Sequence, residues 1–339
     1  MAKAIALLSG GLDSTLAILT VLKQGIEVKA IKFQTPFDCD ASSPNDLSSV
    51  GRRFGFDAEI CNPGEKFLAM VKNPPHGYGK NMNPCIDCRI LMLKEAKLRM
   101  DITGAEFIVT GEVLGQRPMS QRKDMLYHID KEAGVVGQVL RPLSAKFLKI
   151  TSPEAEGIID RERLYGLSGR SRKPQMALAR EFGLDDYPAP AGGCLLTEPN
   201  YAHRLKELLT FNPSPSARDI GLLRMGRHFR LSRTCKVIVG RDEAENDAIE
   251  SLFEEKDSLL RVEGFGSPVT LGTGALTDEA LKIAASLCAR YSDAKSIAET
   301  EVTVRQANDT FKIMVSPAGN EIIEAMRIEK TKKDKTAKV

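Results

Sequence analysis

Short apolar runs alternate with stretches of helical period along the first half of the chain. Ala4 to Leu8 is continuously apolar and predicts a buried parallel strand. Thr15 to Lys23 follows, with Leu16, Ile18, Leu19, Val21 and Leu22 at spacings that predict a largely buried helix. Ile26 to Phe33 predicts a second strand, Asp46 to Phe54 a helix and Ala58 to Cys61 a short third strand. The amphipathic run Ile90 to Met100 comes next, then strands at Phe107 to Thr110 and Val139 to Leu143, then helices over Ser152 to Leu164 and Gln175 to Phe182. This alternation predicts the α/β class, with a doubly wound parallel sheet. After a helix over Glu198 to Leu209 the pattern breaks at Asn212-Pro213-Ser214-Pro215-Ser216, which reads as a linker. Beyond it lie a strand at Lys236 to Gly240, a strand-like run at Ser258 to Val262, a helix over Asp278 to Tyr291 and a hairpin spanning Glu301 to Val315. They predict a smaller C-terminal α+β domain. The expected division is residues 1–200, a helix and linker at 201–213, a second domain at 214–330 and a basic tail at 331–339.

Composition narrows the class without naming it. The 339 residues suffice for two or three domains, and a net charge of +3 says little about partners. No apolar run approaches a membrane span, and the N-terminus passes straight into a strand, so the expected compartment is the cytoplasm. Seven cysteines, an odd number without an export signal, point to metal-binding or catalytic thiols instead of a disulfide framework.

The chemistry concentrates at Ser9-Gly10-Gly11-Leu12-Asp13-Ser14, between the first strand and the first helix. Glycines let backbone amides close on a ligand. The helix start adds partial positive charge, with Asp13 or Ser14 available as its N-cap. The result is a polyanion cradle without the lysine of the common nucleoside-triphosphatase loop. This S-G-G-x-D-S stretch resembles the pyrophosphate loop of the PP-loop ATP pyrophosphatases. The resemblance implies ATP cleaved between its α and β phosphates, with AMP transferred to a carbonyl oxygen. It makes Ser9, Gly10, Gly11, Asp13 and Ser14 the nucleotide residues, with Mg²⁺. Gln34, at the end of the second strand, and Gly111 are further nucleotide candidates.

Thiols recur at three stations. Cys85-Ile86-Asp87-Cys88 opens a helix after the loop Pro74 to Pro84, so its two thiols can face one ion. Structural zinc, a redox pair or an iron–sulfur site all suit C-x-x-C. Cys194 follows Ala191-Gly192-Gly193 in an irregular loop, and Cys39 reads as a surface thiol. Thr110-Gly111-Glu112-Val113-Leu114-Gly115-Gln116 resembles a segment of the tRNA 4-thiouridine synthetases. Asn83-Pro84-Cys85-Ile86-Asp87-Cys88 resembles one in the tRNA 2-thiouridylases, with Cys88 on the family's thiol and Cys85 where those enzymes commonly carry an acid. Arg141-Pro142-Leu143 is similar to the R-P-L of these families. The resemblance implies ATP-dependent tRNA thiolation. A 4Fe-4S cluster on Cys85, Cys88 and Cys194 would keep one iron open for sulfide; alternatives are a persulfide relay through Cys88 and Cys194, or a nonthiolating PP-loop ligase. For zinc, the fourth ligand would come from Cys39, Cys61 or His76. Asp13, Cys88 and Cys194 are the catalytic candidates, and free sulfide or a cysteine desulfurase is the expected sulfur donor.

Two basic regions complete the reading. Gly169-Arg170-Ser171-Arg172-Lys173 is a candidate phosphate contact, so Arg170, Arg172 and Lys173 are assigned to RNA. In the second domain Val239-Gly240-Arg241 through Asn246-Asp247 resembles the V-G-R-x-x-x-x-N-D signature of the NFACT-R domain, a presumed RNA-binding module. Arg218, Arg224, Arg227, Arg230 and Arg233 lie just upstream, and Arg224 and Arg227 are the tRNA contacts expected there.

Overall fold

The computed structural model describes residues 1–38, 50–185, 187, 194–274, 276–307 and 309–329. Cys39, the start of the helix expected from Asp46, the Pro188-to-Gly193 stretch before Cys194 and the tail 331–339 lie outside the described residues. The chain divides into two compact units, Met1–Leu195 and Leu196–Val339.

The first unit is built on β1 (Lys3–Leu7), β2 (Glu27–Phe33), β3 (Asp57–Cys61), β4 (Phe107–Thr110) and β5 (Val139–Leu140). Their order is β3-β2-β1-β4-β5, and every pairing is parallel. Alternate residues of β1 explain why it must lie inside. Ala4 and Ala6 pack with α1 (Leu12–Leu22) on one face, while Ile5 and Leu7 pack toward Ile86 and Ile90 on the other. The strand order reverses beside β1, so the crevice between the carboxyl ends of β1 and β4 is the place for a ligand. Among the described residues the unit also holds α2 (Gly64–Lys72), α3 (Cys85–Thr103), α4 (Lys123–Glu132) and, after the single turn α5 (Ser152–Ala155), α6 (Lys173–Glu181), with residues 50–54 helical as well.

Three local expectations are corrected. The N-cap of α1 is Gly11, not Asp13 or Ser14, and no side chain caps it. The helix expected over Ser152 to Leu164 lasts one turn, because Gly157 adopts φ +73 and only a 3₁₀ turn at Arg161–Arg163 follows. The strand at Val139 ends at Leu140, where the Arg141 side chain turns into a buried ion pair.

The second unit opens with α7 (Pro199–Phe211) and α8 (Ala217–Leu222). Six strands follow: β6 (Arg227–Arg230), β7 (Lys236–Val239), β8 (Ser258–Val262), β9 (Thr270–Thr273), β10 (Thr300–Gln306) and β11 (Asp309–Val315). They form one antiparallel sheet in the order β11-β10-β8-β9-β7-β6. Helix α9 (Glu243–Ser251) sets Ile249 against Ile238, Leu259 and Leu271 on one face. On the other, α10 (Asp278–Arg290) buries Leu281, Ala284, Ala285 and Cys288 against Val237, Leu260 and Val302. A short α11 (Asn320–Met326) ends the described chain. Among the described residues no helix is long and apolar enough to cross a membrane.

Candidate nucleotide and thiol site

The glycine turn is closed by its own hydroxyls. Ser9 N donates to Ser14 Oγ at 3.1 Å, and Ser14 Oγ donates to Gly11 O at 2.9 Å. The two serine hydroxyls lie 3.0 Å apart. Gly10 takes φ +78, a conformation that L side chains rarely adopt, and a Cβ there would lie 3.8 Å from Lys32 Nζ. Gly111 ends β4 directly against this turn: a Cβ on it would stand 2.5 Å from Ser14 N and Cα. Only glycine lets the chain leaving β4 close on the first turn of α1. Gln116 Nε2 then donates to Asp13 Oδ2 at 3.0 Å, which leaves Asp13 Oδ1 buried without a hydrogen-bond partner. Gln34, exposed just after β2, donates its backbone N–H to Cys61 O at 2.9 Å.

The thiols lie toward the same end of the sheet. Cys85 is the first residue of α3 and Cys88 the fourth, with Cys88 N on Pro84 O at 2.9 Å. Leu195 N donates to Phe37 O at 2.9 Å, which ties the Cys194 segment to the chain just beyond β2. Burial pushes the Cys88 thiol up to about 12; Arg89 acts against this, and the nearby thiols of Cys194 and Cys85 and the carboxylate of Asp38 add to it. The three predicted thiols are therefore electrostatic neighbours. Cys85 and Cys194 are half-buried, and Cys85 Sγ lies 3.1 Å from Asn83 Oδ1. Cys61 instead accepts from Arg99 at 3.4 Å, while Cys235 and Cys288 are buried in the second unit.

Sequence reasoning overlooked two networks that hold this site. In the first, Arg141 is bidentate to Asp130, at 2.9 and 2.7 Å, and reaches Glu112 at 2.9 Å. Burial alone would raise Glu112, but the charges of Arg141 and Arg89 hold its carboxyl below the usual range. Arg89 Nε stands 3.6 Å from Glu112, so one carboxylate links the Gly111 strand end to the residue after Cys88. The T-G-E and R-P-L stretches were legible as motifs; their pairing was not. In the second, Asp87 between the two thiols accepts from the backbone amide of His76 at 3.1 Å and bonds its ring Nδ1 at 2.7 Å. The His76 and His128 Nε2 atoms meet at 2.8 Å, so the candidate fourth zinc ligand His76 lies against a second imidazole. Among the described residues no group of three or more His, Cys, Asp or Glu is arranged to hold a single metal ion.

The basic cluster before α6 approaches the turn. Gly169 N donates to Leu114 O at 2.7 Å, and a Cβ on Gly115 would lie 3.6 Å from Gly169 N. Arg170 and Lys173 are exposed; Arg172 is half-buried, with its Nε buried and without a hydrogen-bond partner.

In the second unit the signature residues hold each other. A Cβ on Gly240 would stand 2.1 Å from Asn246 Oδ1, which accepts from Val269 N at 2.9 Å. Glu245 binds the Arg241 guanidinium at 2.9 Å and accepts from Gly226 N at 3.1 Å. Of the five arginines, Arg218 pairs with Asp257 and Arg230 with Glu207. Arg227 donates to Gly240 O at 3.1 Å and lies 4.5 Å over the Tyr291 ring. Arg224 is half-buried and Arg233 exposed.

Two family models match the chain. Residues 1–146 match "Thiamine biosynthesis protein (ThiI)", and residues 226–327 match "NFACT protein RNA binding domain". A probable tRNA sulfurtransferase of Thermococcus kodakarensis is 29% identical over 148 residues, 42% of this chain and 36% of that protein. The tRNA-specific 2-thiouridylase MnmA of Pelotomaculum thermopropionicum is 29% identical over 153 residues, 37% of this chain and 42% of that protein. The chain thus spans less than half the length of these curated relatives. Among solved structures, the U34-tRNA thiolase NcsA from Methanococcus maripaludis with its 4Fe-4S cluster aligns at 16% identity and TM-score 0.33, over 66% of this chain and 73% of that one. A 4-thiouridine synthetase in complex with RNA and bound ATP aligns at 22% identity and TM-score 0.33, over 54% of this chain and 52% of that one. The chain therefore joins a segment similar to the ThiI family, a PP-loop family, to a segment similar to the NFACT RNA-binding domain.

Proposed function

We propose that the chain is an ATP-dependent tRNA sulfurtransferase that adenylates a uracil carbonyl oxygen and replaces that oxygen with sulfur. The observation that carries this reading is the gathering of Cys85, Cys88 and Cys194 at the strand ends that also hold the glycine turn. The match of residues 1–146 to ThiI and the curated relatives named as tRNA sulfurtransferase and 2-thiouridylase support it.

The turn from Ser9 to Ser14 receives the departing pyrophosphate on backbone amides at the start of α1. Asp13 Oδ1, buried and without a hydrogen-bond partner, suits a hard cation such as Mg²⁺. The donor set also suits an iron–sulfur cluster. Cys85, Cys88 and Cys194 would hold a 4Fe-4S cluster, whose remaining iron supplies a place for sulfide. Glu112, Arg141 and Asp130 fix the strand ends between the nucleotide and the thiols. The second unit, by its match to an RNA-binding domain, takes part in binding tRNA, and sulfide or a cysteine desulfurase provides the sulfur.

Oxygen-free purification tests this. The protein should be brown with about four irons per chain. Cys85→Ala, Cys88→Ala and Cys194→Ala should each lose most of the iron and all thiolation, while ATP–pyrophosphate exchange persists. Colourless, iron-free protein that is fully active with sulfide would exclude the cluster. Loss of activity in only two of the three variants would favour a persulfide relay.

A further inference from the structure

Three buried polar atoms or groups of the first unit are left without hydrogen-bond partners at one end of two neighbouring helices. They are Asp13 Oδ1 on α1, Arg172 Nε at the start of α6, and both the Oε1 and Nε2 of Gln175. Gln175 is 1% exposed, so its carboxamide has no water to turn to. Helices α1 and α6 pack on each other, with Leu12, Leu16, Leu178 and Ala179 in one buried core cluster. Lys23, the C-cap of α1, sets its Nζ 3.8 Å from the ring centroid of Phe182, the C-cap of α6. The two helices therefore run in the same direction, and their first turns lie at the same end. A second route gives the same placement. Gly169, just before α6, hydrogen-bonds Leu114, and Gln116, two residues on, holds Asp13.

We infer that the first turn of α6 is the second wall of the nucleotide site, and that Arg172 and Gln175 bind the α-phosphate that ATP shares with AMP. This rests on the ATP reading above. Orphaned polar atoms at this depth cost stability in the free protein unless a ligand completes them. Two helix N-termini side by side, with a guanidinium and an amide donor, complete them best with an anion. Axes of packed helices lie about 8–10 Å apart, a gap that a triphosphate with donors at each end can bridge. The turn on α1 serves the pyrophosphate that leaves. The first turn of α6 serves the phosphate that stays, and Asp13 Oδ1 between them accepts the accompanying cation. Arg172 is thereby reassigned from RNA to nucleotide, while Arg170 and Lys173 remain exposed for RNA.

Equilibrium titration of the full chain with ATP, AMP and pyrophosphate, each with Mg²⁺, tests the division. Arg172→Gln should weaken AMP and ATP by about tenfold or more, the loss expected for one charge-assisted hydrogen bond, and leave pyrophosphate unchanged. Ser14→Ala should do the reverse, weakening pyrophosphate and ATP but sparing AMP. Gln175→Leu should raise the thermal midpoint of the nucleotide-free protein, because it removes two unsatisfied atoms, and yet weaken AMP. A merely structural Gln175 would not move the second readout. Parent-like AMP binding in both the Arg172 and Gln175 variants, or a parent that binds ATP and pyrophosphate but not AMP, would overturn the inference. A parent that binds none of the three would instead overturn the ATP reading itself.

Discussion

Two glycine-bearing signatures, one in each unit, look alike on paper and behave oppositely in three dimensions. At Ser9 to Ser14 the glycines leave room. Gly10 stands at φ +78 with Lys32 Nζ no nearer than 3.8 Å to a virtual Cβ, and Asp13 Oδ1 lacks a hydrogen-bond partner. At Val239 to Asp247 the room is already filled. Asn246 occupies the space beside Gly240, and Glu245 holds Arg241. The first glycine turn keeps an unanswered carboxylate oxygen, and the second spends its polar groups on its own fold. A signature therefore shows only that something must approach closely, and the hydrogen-bond inventory around it shows whether that partner is internal.

The contrast is sharpest at Asp13. Asp13→Ala should reduce ATP–pyrophosphate exchange about a hundredfold or more and leave the thermal midpoint nearly unchanged. Exchange at the parental rate would show that the first turn, too, serves only the fold. In the second unit the expected effects invert. Asn246→Ala strands the Val269 amide and should destabilise the protein by about 1–3 kcal/mol in chemical denaturation, with tRNA affinity falling only as the folded fraction falls. If Asn246→Ala stays fully folded and loses tRNA, the signature is itself an RNA contact and the comparison fails. The smallest effect concerns Lys236. Burial lowers its ammonium to about 7, with Glu207 acting against the shift. Between that value and the ordinary lysine range the unfolded chain binds the extra proton, so stability should rise as pH rises from about 7 toward 10. Below pH 7 the penalty is present in full. Lys236→Met should raise the thermal midpoint at pH 7 by a few degrees and flatten its rise with pH; an unchanged slope would show that Lys236 is not buried as described.

Much of the scaffold was readable because its signals are local. Short apolar runs gave β1 and β4, a charge-interrupted one gave β2, and alternation with helical periods gave the parallel sheet. Cys85 and Cys88 fell at a helix start, as their place just before the amphipathic run Ile90 to Met100 implied. The misreadings were local as well. Apolar residues at Ile158, Ile159 and Leu164 mimic a helical face, yet Gly157 ends the helix before they join it. Four-residue strands such as β6 and β9 are too short to show a period, and the pairing of Arg230 with Glu207 could not be read from the chain.

The sequence by itself determined the class of the first unit, the glycine turn after its first strand and the place of Cys85 and Cys88 at a helix start. Each depends on residues within one or two turns of each other, where pattern and steric freedom act directly. Tertiary structure alone decided that Glu112 answers Arg141, that Cys194 stands near Cys88, and that Arg172 and Gln175 share a helix end with Asp13. Those pairings join segments far apart in the chain. No local propensity encodes them, because charge, burial and an unsatisfied hydrogen bond acquire a value only when folding chooses the neighbour.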